Sequence, residues 1–231
     1  MFKQLVLSAL ISAVPAFVAS AAPKDDVQAA AKKLADSDGY AWHQATESGN
    51  FSTTADGKAQ KDGLTSLKTT MRDNTYEVVI KGDKAAVKTE DGWKSAAELQ
   101  DAEGAPRFLA RMATTFKAPA AQAQEIAGKV KDLKKTDDAY AGELTEEAVK
   151  ELMTFGRRGG ANAEAPQVTN AKGTAKFWTK DGALAKYEYT VSGTMNRNGE
   201  DVEVNRTTTT EIKGVGSTKV EVPAEAKSKL E

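Results

Sequence analysis

The spacing of hydrophobic positions changes several times along the chain, and each change predicts a different element. Between residues 25 and 36 the apolar side chains recur three and four positions apart, which is the spacing of one helix face: Val27, Ala30, Ala31 and Leu34. From residue 39 to about residue 94 short alternating runs are separated by turn residues such as Asp91-Gly92, a pattern typical of antiparallel strands. The chain therefore begins as a helix followed by a meander of strands.

The middle of the chain is predicted to be mainly helical and the last part to return to strands. Pro106 and Pro119 suit the first turns of two short helices, and Thr145 is a suitable N-cap for a third. The Asp181-Gly182 turn is the strongest hairpin signal. The remaining expectations are short strands over residues 130–144, a loop over 161–170, and strands over 173–180, 183–192, 201–212 and 217–222.

The first 21 residues have the pattern of a secretory signal peptide. Lys3 precedes an apolar run of about 15 residues, which ends in the small residues Ala19-Ser20-Ala21. A helix needs roughly 20 apolar residues to cross a bilayer, and the chain has no Cys to which a lipid could be attached. We therefore expect cleavage, one domain over residues 22–231, and a soluble periplasmic or extracellular protein without a transmembrane anchor.

Composition narrows the classes of function. The 32 Lys and Arg are balanced by 33 Asp and Glu, so the chain has no excess positive charge for a nucleic-acid backbone. The absence of Cys excludes disulfides, thiolate nucleophiles and zinc–cysteine sites, and the single His43 excludes any site that needs two histidines. We expect no catalytic activity, no metal site and no cofactor.

Three short stretches resemble the LolA/LppX-like family of lipoprotein-localisation factors and lipid-binding lipoproteins. They are VIKGDKAAVKTEDGWK at 79–94, GTAKFWTKDGALAKY at 173–187, and VEVPAEA at 220–226. By organisation the resemblance covers most of the chain after residue 21. It implies an α+β, mainly antiparallel fold, in which helices pack in the concave face of a strongly curved, open half-barrel sheet. In that family the concavity holds acyl chains.

The resemblance implies a non-enzymatic carrier or binder of lipid, lipoprotein or another hydrophobic ligand, acting as a monomer. An envelope interaction or sensor module of the same fold, without lipid transport, is the alternative. The candidate cavity residues are aromatic or flexible apolar side chains of the middle helices and the late hairpin, and these positions also suit an ordinary core. They are Phe108, Leu109, Met112, Phe116, Leu152, Met153, Phe177, Tyr187 and Tyr189.

Other polar groups have both a functional and a structural interpretation. His43 lies in a predicted strand and is expected at the surface. The carboxylates of residues 143–151 are more typical of a solvated helix face than of an acid–base pair. Arg157-Arg158 could bind an anionic headgroup or end a helix. A secreted hydrolase would need two inward carboxylates within about 10 Å of each other across a cleft.

Overall fold

The computed structural model describes residues 22–49, 51–71, 74–154, 166–197 and 199–231. Within them the helices are α1 (Pro23–Ala35), α2 (Ala105–Thr114), α3 (Pro119–Gly128), α4 (Glu146–Thr154) and α5 (Ala224–Lys227). The strands are β1 (Gly39–Ser48), β2 (Phe51–Gln60), β3 (Thr65–Met71), β4 (Asn74–Lys81), β5 (Lys84–Thr89), β6 (Gly92–Ser95), β7 (Lys134–Lys135), β8 (Tyr140–Glu143), β9 (Val168–Lys180), β10 (Ala183–Arg197) and β11 (Glu200–Lys213).

All these strands form one antiparallel sheet in the order β6-β5-β4-β3-β2-β1-β11-β10-β9-β8-β7. The pairing of β1 with β11, with Trp42 opposite Ile212 and Thr46 opposite Thr208, joins the first meander to the last. The short strands β6 and β7 form the two edges, so the sheet is open. The predicted fold class, a mainly antiparallel open half-barrel with helices packed in its concave face, is confirmed, and the short helix α5 lies on the opposite face. Residues 1–21, the predicted signal peptide, lie outside the described residues.

The two faces of the sheet differ because side chains alternate along each strand. Tyr40, Trp42, Leu67 and Tyr187 point to the face that α1, α2, α3 and α4 cover, which we call the concave face. The opposite, convex face carries a row of alternating charge in which neighbours on adjacent strands oppose one another: Lys186, Glu211, His43, Asp56, Lys68, Glu77 and Lys88. Opposite charges on paired strands attract, and this part of the convex face is solvated.

The helices follow the predicted periodicity. The side chains of Val27, Ala30, Ala31 and Leu34 are all buried, since α1 packs against β10 and α3. A proline lies in the first turn of α2 and of α3, where its missing N–H has no helical partner to lose. Helix α2 packs on β4 and β5, and α4 packs on β9 and β10. Among the described residues, no helix combines the length and hydropathy that a membrane span requires.

The structure corrects two of the predicted boundaries. The expected last strand over residues 217–222 is wrong, because β1 already pairs on both sides with β2 and β11 and offers no free edge. After β11 the chain instead makes single hydrogen bonds to the end of the sheet, from Gly216 N to Gly39 O at 2.7 Å and from Val220 N to Gln60 Oε1 at 2.9 Å. The expected loop over 161–170 is also wrong in its second part, since β9 begins at Val168.

Candidate functional site

A cavity of about 690 Å³ lies between the concave face and helices α2, α3 and α4. Strands β1, β2, β3, β10 and β11 form its floor, and the three helices form the opposite wall. The largest fully buried side chains of the concave face, Tyr187 and Phe177, lie outside this space and fill the adjoining core. The concave side is thus divided into a packed region and an open one.

Much of the helical wall of the cavity is apolar. Met112 and Phe116 are four residues apart at the end of α2, and Ile126 and Met153 contribute from α3 and α4. Trp42 reaches the wall from β1 and stacks on Phe116, with ring centroids 6.1 Å apart and planes 21° apart. Large, adaptable apolar side chains of this kind fit a surface that accommodates hydrophobic molecules of varying shape.

The floor of the cavity contains a series of polar side chains on β1 and β11. Along β1 the residues that face the cavity are Trp42, Gln44, Thr46 and Ser48. Thr46 Oγ1 and Thr208 Oγ1 are hydrogen-bonded at 3.1 Å, and Gln44 Nε2 donates to Thr210 Oγ1 at 3.0 Å. The strand alternation that predicts an apolar inner face therefore gives way here to hydroxyl and amide groups.

Charged side chains tie the helices together at the side of the cavity. Lys129 binds the carboxylates of Glu125, at 3.0 Å, and of Glu151, so that it joins α3 to α4. Lys117 binds Glu125 from the segment between α2 and α3. Hydrogen bonds from Lys117 and Lys129 hold the pKa of Glu125 below its usual value. Partial burial acts to lower the pKa of Lys129, but its hydrogen bonds to Glu151 and Glu125 outweigh burial, so that the pKa is raised.

Arg206 is a cation on the cavity floor. Its guanidinium donates from Nη2 to the backbone carbonyl of Leu152 near the end of α4. Its Nε is buried and has no hydrogen-bond partner among the described residues. A buried N–H without a partner is unusual in folded proteins, and a shift of the Arg206 side chain would bring this donor to an acceptor in the cavity.

Six of the nine candidate residues line the cavity: Phe108, Met112, Phe116, Leu152, Met153 and Tyr189. The other three, Leu109, Phe177 and Tyr187, are fully buried in the core beside it. Burial raises the pKa of Tyr187 well above its usual value, as expected for a phenol that packs inside the protein. The residues that sequence reasoning missed are the polar ones, Gln44, Thr46, Thr208 and Arg206, although their alternation along two strands is visible in the chain.

Other candidate groups are placed as follows. His43 lies on the convex face, as expected, and its Nδ1 is 2.8 Å from Asp56 Oδ1, a partner that the sequence did not reveal. This pair borders a second groove, of about 470 Å³, beside Pro223. Arg157-Arg158 lies outside the described residues. Within the described ranges, no three His, Cys, Asp or Glu side chains cluster as metal ligands would.

No protein-family model matches the chain, and no curated protein matches it. Among solved structures the chain is similar to LprF from Mycobacterium bovis, at 12% identity and a TM-score of 0.44 over 88% of this chain and 97% of that one. It is also similar to a chain of the Pseudomonas aeruginosa MucA/MucB complex, at 12% identity and a TM-score of 0.40. That match covers 88% of this chain and 62% of the other, less than two thirds of its length. Membership of the LolA/LppX-like family stays a prediction from the sequence resemblance.

Proposed function

We propose that this protein is an exported, non-enzymatic carrier or binder of a hydrophobic ligand, which it holds between the curved sheet and helices α2, α3 and α4. The observation that supports this most is the cavity of about 690 Å³ on the concave face. Its size lies within the range of about 300 to 1,000 Å³ typical of small-molecule sites. Its aromatic and methionine wall provides an apolar surface, as such sites require.

An open half-barrel suits a ligand that must be taken up and released. The helices that close the cavity are attached to the sheet by side-chain packing and by single side-chain hydrogen bonds, such as that from Arg206 to the Leu152 carbonyl, so that they can move without breaking strand pairing. Each methylene group that a ligand buries there contributes about 0.8 kcal/mol. Met112 and Met153 can adopt several rotamers and adapt the wall to the ligand.

The alternative, an interaction or sensor module, requires a filled concavity and an apolar patch on the convex face. The cavity is open, and the centre of the convex face carries the row of alternating charge from Lys186 to Lys88. Both observations favour the carrier. A lipidated protein is included among the possible ligands, since its acyl chains are what the cavity would enclose.

The cavity also contains two carboxylates, those of Glu125 and Glu151, and a carboxylate-only hydrolase would need such a pair. Both bind the ammonium group of Lys129. Acid–base catalysis by two carboxyl groups requires one with a raised pKa, whereas the pKa of Glu125 is lowered by Lys117 and Lys129. The arrangement therefore supports an electrostatic tie between α3 and α4 and a protein without catalytic activity.

A matched pair of variants tests the proposal. Ala55 faces the cavity from β2, whereas Ala45 on the neighbouring strand β1 points to the convex face. We expect the purified protein to bind an environment-sensitive naphthylamine dye and to retain lipid detectable by native mass spectrometry. Ala55→Trp should weaken both because its indole occupies part of the cavity, and Ala45→Trp should leave both unchanged. Equal binding by the two variants would refute a ligand site in this cavity.

Export is tested separately. The mature chain isolated from its own host should begin near residue 22, as N-terminal sequencing or intact-mass measurement would show. A chain that retains Met1 would contradict the export proposal and leave the ligand proposal standing.

A further inference from the structure

The concave face changes its chemistry along single strands. On β1 the residues that face the helices are Tyr40 and Trp42 at one end, then Gln44, Thr46 and Ser48 under the cavity. Tyr40 and Trp42 are buried, whereas the next three are half-buried. Because strand alternation alone would continue the apolar series, the change to polar side chains coincides with the start of the open space.

Strand β11 repeats the change beside β1. Ile212 packs against the core, and the following inward positions are Thr210, Thr208 and Arg206. The register places Thr46 opposite Thr208 on one side and opposite Thr53 of β2 on the other. Directly opposed residues on paired strands are close neighbours. Three hydroxyl groups therefore lie side by side across the floor, and we call Thr46, Thr53 and Thr208 the hydroxyl row.

These groups keep unused hydrogen-bonding capacity. Thr46 and Thr208 share one hydrogen bond, so one of the two hydroxyl protons is free to donate, and lone pairs remain on both oxygens. Gln44 uses one of its amide protons on Thr210 and retains the other. Arg206 Nε has no acceptor among the described residues. A purely aliphatic ligand would displace water from this floor and leave such groups unpaired, which is unfavourable.

The helix side of the cavity presents a group of apolar side chains. Phe108 and Met112 of α2, Phe116 just after it and Leu152 of α4 form this surface, while the ion pairs of Lys129 with Glu125 and Glu151 lie at the side of the cavity. The cavity therefore offers an apolar surface from α2 and α4 and a row of hydroxyl groups from the sheet, and a complementary molecule would have an apolar face and a hydrogen-bonding face.

Resting on the proposed carrier function, we propose that the ligand is facially amphipathic: an apolar body with hydroxyl, keto or ester oxygens along one face. The oxygen-bearing face lies against the hydroxyl row, and one acceptor oxygen lies at Arg206. The apolar face lies against α2 and α4. The expected ligands are therefore apolar molecules with oxygen atoms along one face, of a polycyclic or polyketide-like kind. Unbranched saturated acyl chains should bind with lower affinity.

Three anionic probes test the inference by isothermal titration at equal pH: deoxycholate, 5β-cholanate and palmitate. Deoxycholate and cholanate share their rings and carboxylate, and only deoxycholate has hydroxyl groups on one face. We expect deoxycholate to bind the full chain about three- to tenfold more tightly than cholanate for each hydroxyl that is engaged. Equal affinity, or tighter binding of cholanate, would overturn the inference.

Matched variants locate the effect on the floor. Thr46→Val with Thr53→Val removes hydroxyls from the row at nearly constant volume, and we expect it to abolish the preference for deoxycholate while palmitate binding is retained. The control is Thr70→Val with Thr207→Val, which removes two hydroxyls that form 3.0 Å bonds to Thr75 and Thr190 on the convex face. A preference that survives in the first variant overturns the inference.

The two proposals fail in distinguishable ways. If wild-type protein binds none of the three probes and neither the dye nor retained lipid, the carrier proposal and this inference are both wrong; if it binds the dye but none of the probes, only this inference is wrong. If it binds palmitate and cholanate without favouring deoxycholate, the carrier proposal stands and only the facial preference is wrong. A preference for deoxycholate that is lost only in the variant of the hydroxyl row supports both.

Discussion

At the residue scale, Gly57 makes room for Trp42 on the floor of the cavity. The two residues oppose each other on β1 and β2, and a Cβ on Gly57 would lie 2.1 Å from Cζ2 of the indole. Trp42 is buried and in turn supports Phe116 in the helical wall. The absence of one side chain thus fixes the position of an aromatic pair that closes one end of the cavity.

Gly57→Ala should displace the indole of Trp42 and separate it from Phe116. We expect a loss of about 1 to 3 kcal/mol in the free energy of unfolding, typical of overpacking, together with a changed tryptophan fluorescence spectrum. Gly128→Ala is the control, since a Cβ there meets nothing within 4 Å. Urea unfolding measures both. A Gly57→Ala protein that unfolds at the wild-type midpoint with an unchanged spectrum would contradict this role.

Sequence reasoning finds residues of this kind only in part. Trp42 lies in the predicted strand meander, and in the structure it lines the cavity. Its dependence on Gly57, 15 positions away, needs the register of β1 and β2, which depends on how the hairpin at residues 48–51 is formed. Likewise, the salt-bridge partner of His43 follows from register and not from any local motif.

At the element scale, α3 and α4 are joined by the ion pairs of Lys129 with Glu125 and Glu151. Lys129→Met should remove the cation that the two carboxylates share and leave Glu125 paired with Lys117 alone. We expect a cost of about 1 kcal/mol or less, because the groups are partly exposed, and faster amide exchange in α4. Lys150→Met is the control, since Lys150 pairs with Glu146 within α4 itself. Equal exchange rates in the two variants would show that Lys129 does not hold the helices together.

The same pairs predict a pH dependence. Because the folded protein lowers the pKa of Glu125 from its usual 4.5, the unfolded chain takes up a proton more readily than the folded one. The stabilisation is complete above about pH 4.5 and is lost as the pH falls through the lowered value. Glu125→Gln should therefore be less stable at neutral pH and lose less stability on acidification. Urea unfolding of the wild-type protein and of Glu125→Gln across this pH range tests the prediction. An equal loss of unfolding free energy on acidification in both proteins would mean that Glu125 does not contribute to the pH dependence.

Elements with strong local signals were predicted well, and those decided by the sheet were not. Helix α1 follows from its apolar spacing, and α3 from Pro119 and Gly128 at its two ends. The segment over 217–222 has alternating valines, yet it forms no strand because no strand edge is free beside it. Strand β9 begins earlier than predicted, at Val168, because Met195 of β10 is there to pair with it.

At the scale of the whole molecule, the cavity is formed by segments distant along the chain. Its floor combines β1, β2 and β3 with β10 and β11, and its wall comes from the helices between them. The sequence predicts the order of these elements, and the resemblance predicts their curvature. The volume left open between them depends on how α2, α3 and α4 pack, which no local pattern specifies.

The C-terminal segment crosses to the convex face and covers a small core of its own. After β11 the chain turns at Gly214 and Gly216, which have positive φ angles, and passes Gly39 at the end of β1. Helix α5 then places Ala226 against Val79 and Trp93, outside the strands β4 and β6. This contact lies on the opposite side of the sheet from the cavity, so the two can be perturbed separately.

Ala226→Glu should detach this segment and leave ligand binding intact. Ala226 is fully buried, and a carboxylate there would be transferred out of water without a partner, whereas Lys227→Glu beside it changes an exposed position. We expect protease to cleave Ala226→Glu faster within residues 214–231, with exposure of Trp93, and to cleave Lys227→Glu at the wild-type rate. Dye binding should be unchanged in both, since the sheet separates α5 from the cavity. Loss of dye binding in Ala226→Glu alone would instead mean that the convex contact helps to maintain the curvature on which the cavity depends.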